Sequence, residues 1–111
     1  TPDEKTLIVA NSDGAKRAWY AFDLGESDSV HNARIFYDAT SDPEQGSPDG
    51  MKMDPNGNLY STGPGGIWVF SSEGKVLGKI RIPGRVSNVA FTRDYRTMFI
   101  TADNYVLRVK L

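Results

Sequence analysis

A nine-residue pattern is written twice in this chain of 111 residues. Thr1-Pro2-Asp3-Glu4-Lys5-Thr6-Leu7-Ile8-Val9 returns as Thr92-Arg93-Asp94-Tyr95-Arg96-Thr97-Met98-Phe99-Ile100. A shortened copy is Asp54-Pro55-Asn56-Gly57-Asn58-Leu59-Tyr60, so the copies start 53 and 38 residues apart. Each copy runs from a tight turn into a strand of apolar, β-branched or aromatic residues. A period of that length describes supersecondary units that cannot bury both faces alone and gain stability by stacking on their neighbours.

The rest of the chain has the same texture. No window holds an apolar i, i+3, i+4 pattern, so no helix is expected. Strands are expected at Thr6–Ala10, Ala18–Asp23, Ala33–Tyr37, Met51–Met53, Leu59–Thr62, Ile67–Phe70, Val76–Ile82, Val86–Phe91, Met98–Ala102 and Tyr105–Leu111. Turn signals separate them at Asp13-Gly14, Asn56-Gly57, Pro64-Gly65-Gly66, Glu73-Gly74 and Pro83-Gly84. Asp outnumbers Glu by ten to four, a bias towards turn formers over helix formers. Ile80/Ile82 and Leu107/Val109/Leu111 alternate with charged residues, as in a sheet with one buried face. Leu7–Ala10 and Ile67–Phe70 are continuous apolar runs, as in a sheet buried on both faces.

These features fit an all-β chain built as part of a β-propeller, whose blades are four-stranded antiparallel sheets of about 40–50 residues. The chain supplies about two and a half blades: a partial blade over residues 1–45, a blade over 46–84 and a partial last blade over 85–111. Thr1 already lies in a turn that needs an inner strand before it. Since about four blades are needed to close around an axis, the chain is expected to be part of a larger propeller, or to join another copy. A small self-sufficient β-sandwich is the alternative.

Composition excludes several classes. A net charge of −1 gives no general attraction to nucleic acid or to a membrane. Arg81, Arg85, Arg93 and Arg96 lack an aromatic stacking platform for bases. The apolar runs are too short to span a bilayer, so a soluble protein of the cytoplasm or periplasm is expected. Without cysteine there are no disulfides and no thiolate metal sites. Charge is uneven: residues 1–50 carry −6 and residues 75–111 carry +6.

Candidate chemistry centres on Ser47-Pro48-Asp49-Gly50-Met51. The repeat register places Asp49 and Ser87 at the starts of innermost strands, with Gly50 and Asn88 following. Such starts ring the mouth of a central channel, where blades can aim polar groups at one point. Asp49 there is either a turn-capping residue or a ligand for a hard divalent cation. Asn88, and Asn11 after the first strand, are candidate channel-lining residues. His31 is the only histidine, and no Gly-x-Ser-x-Gly elbow accompanies it, so it is read as a surface or strand residue. Trp19 and Trp68 are read as packing between blades.

The Pro-Asp-Gly-Met element, Gly57-Asn58-Leu59-Tyr60, Gly65–Phe70, Gly74-Lys75-Val76-Leu77-Gly78 and Thr97–Leu111 run in the order found in one family, as does Ala33-Arg34-Ile35-Phe36 upstream. The chain resembles the C-terminal part of a gluconolactonase of the regucalcin (senescence-marker, luciferin-regenerating) type. The resemblance implies a six-bladed propeller with one divalent metal (Ca, Zn, Mg or Mn) in the channel and hydrolysis of sugar lactones. It implies that Asp49 is a metal ligand and also the catalytic residue, a general base near the water that attacks the lactone. The family's other ligands, a Glu and an Asn of an Asn-Gly, have no counterpart here. The family's Arg and Asn substrate contacts are expected upstream as well. The resemblance therefore implies an incomplete site, inactive without the missing N-terminal part or another copy. Metal would polarise the carbonyl or acidify a bound water. The alternatives are a non-catalytic propeller that binds ligands or proteins, or an esterase for other esters.

Overall fold

Ten strands and one short turn of 3-10 helix make up the computed structural model, which describes all 111 residues. The strands are β1 (Thr6–Asn11), β2 (Ala18–Leu24), β3 (Val30–Asp38), β4 (Met51–Met53), β5 (Leu59–Gly63), β6 (Gly66–Phe70), β7 (Val76–Arg81), β8 (Val86–Phe91), β9 (Thr97–Ala102) and β10 (Tyr105–Lys110). They form three antiparallel sheets, β1-β2-β3, β4-β5-β6-β7 and β8-β9-β10. This is a row of consecutive propeller blades. Every expected strand is present, and most bounds agree within a residue.

Two local features differ from the sequence expectation. Glu26–Asp28 form the 3-10 turn, with Ser27 and Asp28 at positive φ. β3 starts three residues earlier than expected. Its polar start is held from β2, because Asp23 accepts hydrogen bonds from Asn32 (2.8 Å) and Arg34 (2.8 Å).

The written repeat is a structural repeat. Thr1, Asp54 and Thr92 each take the same place in a turn. Their carbonyls accept from Glu4, Gly57 and Tyr95, and all three of those residues have positive φ (57°, 82° and 57°). Asp3 and Asp94 brace their copies by accepting from the backbone of Lys5 and Arg96. The strands that follow, β1, β5 and β9, are therefore equivalent. β4 and β8 lie on the inner side of β5 and β9, while β1 has no strand of this chain at that position.

Alternation along β5 and β6 sends side chains to both neighbours. Leu59, Trp68 and Phe70 join Ile8, Trp19, Ala21 and Ala39 in one core. Ile67 joins Ile82, Val86, Val89, Met98, Ile100 and Ala102 in the other. Trp19 is fully buried, packs edge-on against Phe70 at 4.9 Å, and donates its indole N–H to Ser61 Oγ at 2.8 Å. Burial of the ring and a satisfied N–H together make this a strong anchor between the first two sheets; loss of such a ring costs about 3–5 kcal/mol.

The two flanking sheets have only one covered face. In the run Leu7–Ala10, Ile8 is buried but Leu7 and Val9 are 42% and 40% exposed. Ile35 on the same outer side is 55% exposed, and on the far sheet Val106 is 71% exposed. The continuous apolar run of β6 is buried on both faces, as its sequence implies. That of β1 is buried on one.

Candidate functional site

At one end of the sheets, the β1–β2 turn, the long β3–β4 crossover and the β7–β8 loop line a cavity of about 650 Å³. Its walls include Ser12, Arg17, Gln45, Asp49, Arg85 and Ser87, and only one of its eleven lining residues is hydrophobic.

Asp49 lies where all three sheets are tied together. Before it, the Pro48 carbonyl accepts from Ser12 Oγ at 2.5 Å, a bond to the first sheet's turn. After it, Gly50 N–H donates to the Ser87 carbonyl at 2.9 Å, and the Gly50 carbonyl accepts from Thr62 N–H at 3.0 Å. The backbone on both sides is thus fixed to three blades. The carboxylate itself is exposed and has no hydrogen-bond or ion-pair partner in the chain.

The crossover that delivers Asp49 is wrapped around one guanidinium. Arg17 Nη1 donates to the carbonyls of Glu44 (2.8 Å) and Gly46 (3.2 Å), and Nη2 donates to those of Thr40 (3.0 Å) and Asp42. Alternate carbonyls of residues 40–46 therefore converge on a single cation from the first sheet. On the other side Glu44 is gripped by Lys79 and Arg81 of β7. The hydrogen bond from Lys79, with the charges of Lys79 and Arg81, holds the Glu44 carboxyl below its ordinary value. Lys79 also lies 3.7 Å from Asp42 and 4.6 Å above the Trp68 ring. Nothing in the sequence pattern singles out Arg17, since its partners are carbonyls more than twenty residues away.

Asn88 reaches the same neighbourhood. It is exposed, its Oδ1 accepts from Val89 N–H at 2.9 Å, and its side chain packs against Gly50. Asn11 turns to its own loop, where Oδ1 accepts from Asp13 N–H at 3.2 Å. Ser12, not Asn11, is among the residues lining the cavity. His31 lies in β3 at the opposite end, 3.0 Å from Ser29 Oγ. Trp19 and Trp68 pack between blades, 6.0 Å apart.

Towards a metal this cavity offers one carboxylate, Asp49. No three His, Cys, Asp or Glu side chains gather anywhere in it, while Ca²⁺ takes about six to eight oxygens. The residues present do not form a complete metal site.

The family model described as "SMP-30/Gluconolactonase/LRE-like region" matches residues 1–104. The chain belongs to this family. A gluconolactonase of Zymomonas mobilis is 36% identical over 99% of the chain, which covers 33% of that protein. A gluconolactonase of Xanthomonas campestris superposes with a TM-score of 0.88 at 34% identity, over the whole chain and 36% of that structure. A luciferin-regenerating enzyme superposes with a TM-score of 0.83 at 24% identity, over 98% of the chain and 42% of its own length, and so shares the fold. The chain spans about a third of the length of the curated gluconolactonase it matches. No helix is long and apolar enough to cross a membrane.

Proposed function

We propose that the chain is the C-terminal portion of a propeller lactonase that opens sugar lactones with the help of one divalent metal ion (Ca, Zn, Mg or Mn). The observation that carries this reading is Asp49, an unpartnered carboxylate held between three sheets at a polar cavity, in a chain whose family match spans residues 1–104. Asp49 contributes one metal ligand, and the remaining ligands come from the other blades of the same propeller. A metal bound there would supply Lewis-acid polarisation or a water of lowered pKa. The chain's own residues fix the carboxylate and frame the cavity. Ser12, Ser87 and Gln45 offer hydrogen-bonding groups to a polyhydroxylated ring. On this reading the 111 residues alone are inactive.

The test is Asp49→Asn in the complete protein, with metal content and gluconolactone hydrolysis measured together. Loss of bound metal and of hydrolysis is expected. Full activity with normal metal content overturns the assignment.

A second reading is a non-catalytic propeller that binds small ligands or proteins. One observation favours it: Asp49 is not joined by further His, Cys, Asp or Glu groups within the chain. A complete protein that holds no metal and hydrolyses no lactone decides for this reading.

A further inference from the structure

We infer that Arg85 is an oxyanion-binding residue of the Asp49 cavity, and that the lactone preferred there carries a second, negatively charged group such as a carboxylate or a phosphate. The inference rests on the lactonase reading and adds to it the substrate class.

Two cations line this cavity, Arg17 and Arg85. Arg17 is unavailable to a ligand, because its two terminal nitrogens already serve four carbonyls and its Nε is buried. Arg85 is exposed and pairs with no carboxylate. It is not a loosely held surface residue, because its backbone is locked in both directions to the β9–β10 turn. Arg85 N–H donates to Asp103 Oδ2 at 3.1 Å, and Asp103 N–H donates to the Arg85 carbonyl at 2.8 Å. Asp103 sits at positive φ (48°) in that turn. The Asp103 carboxylate thus holds the backbone of Arg85 and forms no ion pair with its guanidinium.

The cavity is therefore lined by two charged residues without an ion-pair partner, Asp49 and Arg85. A neutral sugar lactone needs no cation. A guanidinium on a fixed loop suits a planar carboxylate or a phosphate, which it holds with two parallel N–H donors. Asp49 and Arg85 line the same cavity, so the ligand that suits both has its ester at one and an anion at the other.

The experiment uses the complete protein and its Arg85→Gln and Arg85→Lys variants. Three substrates are compared: glucono-lactone as the neutral reference, an aldaric monolactone with a free carboxylate, and 6-phosphogluconolactone. Wild-type protein is expected to favour one anionic lactone, and which one identifies the anion. Arg85→Gln is expected to lower the anionic-to-neutral ratio of kcat/KM by about ten- to a hundredfold. Arg85→Lys should restore part of that ratio, which a merely structural role would not predict. Equilibrium binding of the open-chain aldarate against gluconate is measured on the same proteins, so the subsite is tested even where no lactone is turned over. Hydrolysis of the neutral lactone with an anionic-to-neutral ratio that Arg85→Gln leaves unchanged overturns the inference and spares the lactonase reading. A carboxylate from another blade that neutralises Arg85 gives that same result. Absence of all hydrolysis with Arg85-dependent aldarate binding removes the lactonase reading and keeps the anion site.

Discussion

Gly50 has no room for a side chain because Asn88 occupies that space. A Cβ built on Gly50 would lie 2.6 Å from the Ser87 carbonyl oxygen and closer still to Asn88 Oδ1. The glycine of the Pro-Asp-Gly element is thus what lets β4 approach β8 and lets Gly50 N–H reach the Ser87 carbonyl. Gly50→Ala must push the third sheet away from the second, at a cost of about 1–3 kcal/mol. Denaturant unfolding measures this. Asn88→Ala in the same chain should recover only part of the loss, because the Ser87 backbone oxygen stays in place. Full recovery in that double variant means the clash is with the Asn88 side chain alone.

Arg17 is expected to matter more to stability than any other charged residue of the chain. Arg17→Ala leaves four partly buried carbonyls of the crossover without their donor, and each that water cannot reach costs about 1–3 kcal/mol. A loss of about 3 kcal/mol or more in unfolding free energy is expected. Arg17→Lys should rescue little, because an ammonium cannot serve four carbonyls spread across a planar fork. Amide hydrogen exchange should locate the damage in residues 39–48. A variant as stable as the wild type, with that segment still protected, contradicts the clamp.

These two residues also mark what the sequence could and could not reveal. Strands were legible because period-two alternation and turn residues are local signals. The repeat at Thr1 and Thr92 was legible because the turn is held by side chains: each Thr hydroxyl donates to the Asp two residues on and accepts from the backbone N–H of the Thr five residues on, so the same residue types recur. β3 begins before its own apolar pattern because Val30 and His31 pair with Leu24 and Asp23 across the sheet and Asn32 donates to Asp23, which are long-range contacts that a local pattern does not carry. The two-sided burial expected of Leu7–Ala10 depends on a neighbouring sheet, which a local run of residues cannot report. Asp49 was visible as a turn residue before a strand. The Arg17 clamp was not visible, because backbone carbonyls carry no sequence identity.

Acid should loosen the crossover through Glu44. Its folded carboxyl titrates below the ordinary value of 4.5, first because Lys79 donates to it. In the unfolded chain that interaction is gone, so on acidification the unfolded state takes up the proton first. Whatever stability the interaction gives is present above the ordinary glutamate value. It is lost as pH falls from there through the lower folded value. Glu44→Gln should flatten this part of the acid limb in a plot of unfolding free energy against pH. The exposed pairs Lys16–Asp38 and Arg34–Asp23 act in the same direction and are more readily screened by salt. An acid limb unchanged by Glu44→Gln rejects the assignment.

The outer faces of the flanking sheets give the last prediction. Leu7, Val9 and Ile35 are exposed on one side of the row, and Phe99 and Val106 on the other, between 39% and 71%. Alternation puts these side chains on the faces turned away from the middle sheet, where each would meet a further blade. Contiguous apolar patches of this kind drive association when nothing covers them. The first sheet's region is acidic and the last sheet's region basic, so contacts between unlike faces are favoured over contacts between like faces. The 111-residue chain expressed alone is therefore expected to self-associate head to tail, more strongly at low salt, and to bind a hydrophobic dye. Sedimentation velocity across concentration and salt measures this. Phe99→Lys with Val106→Lys removes the apolar patch on one face without touching the core between sheets, and should shift the chain towards monomer. A wild-type chain that stays monomeric and dye-silent at high concentration would show that these faces are not sticky in water.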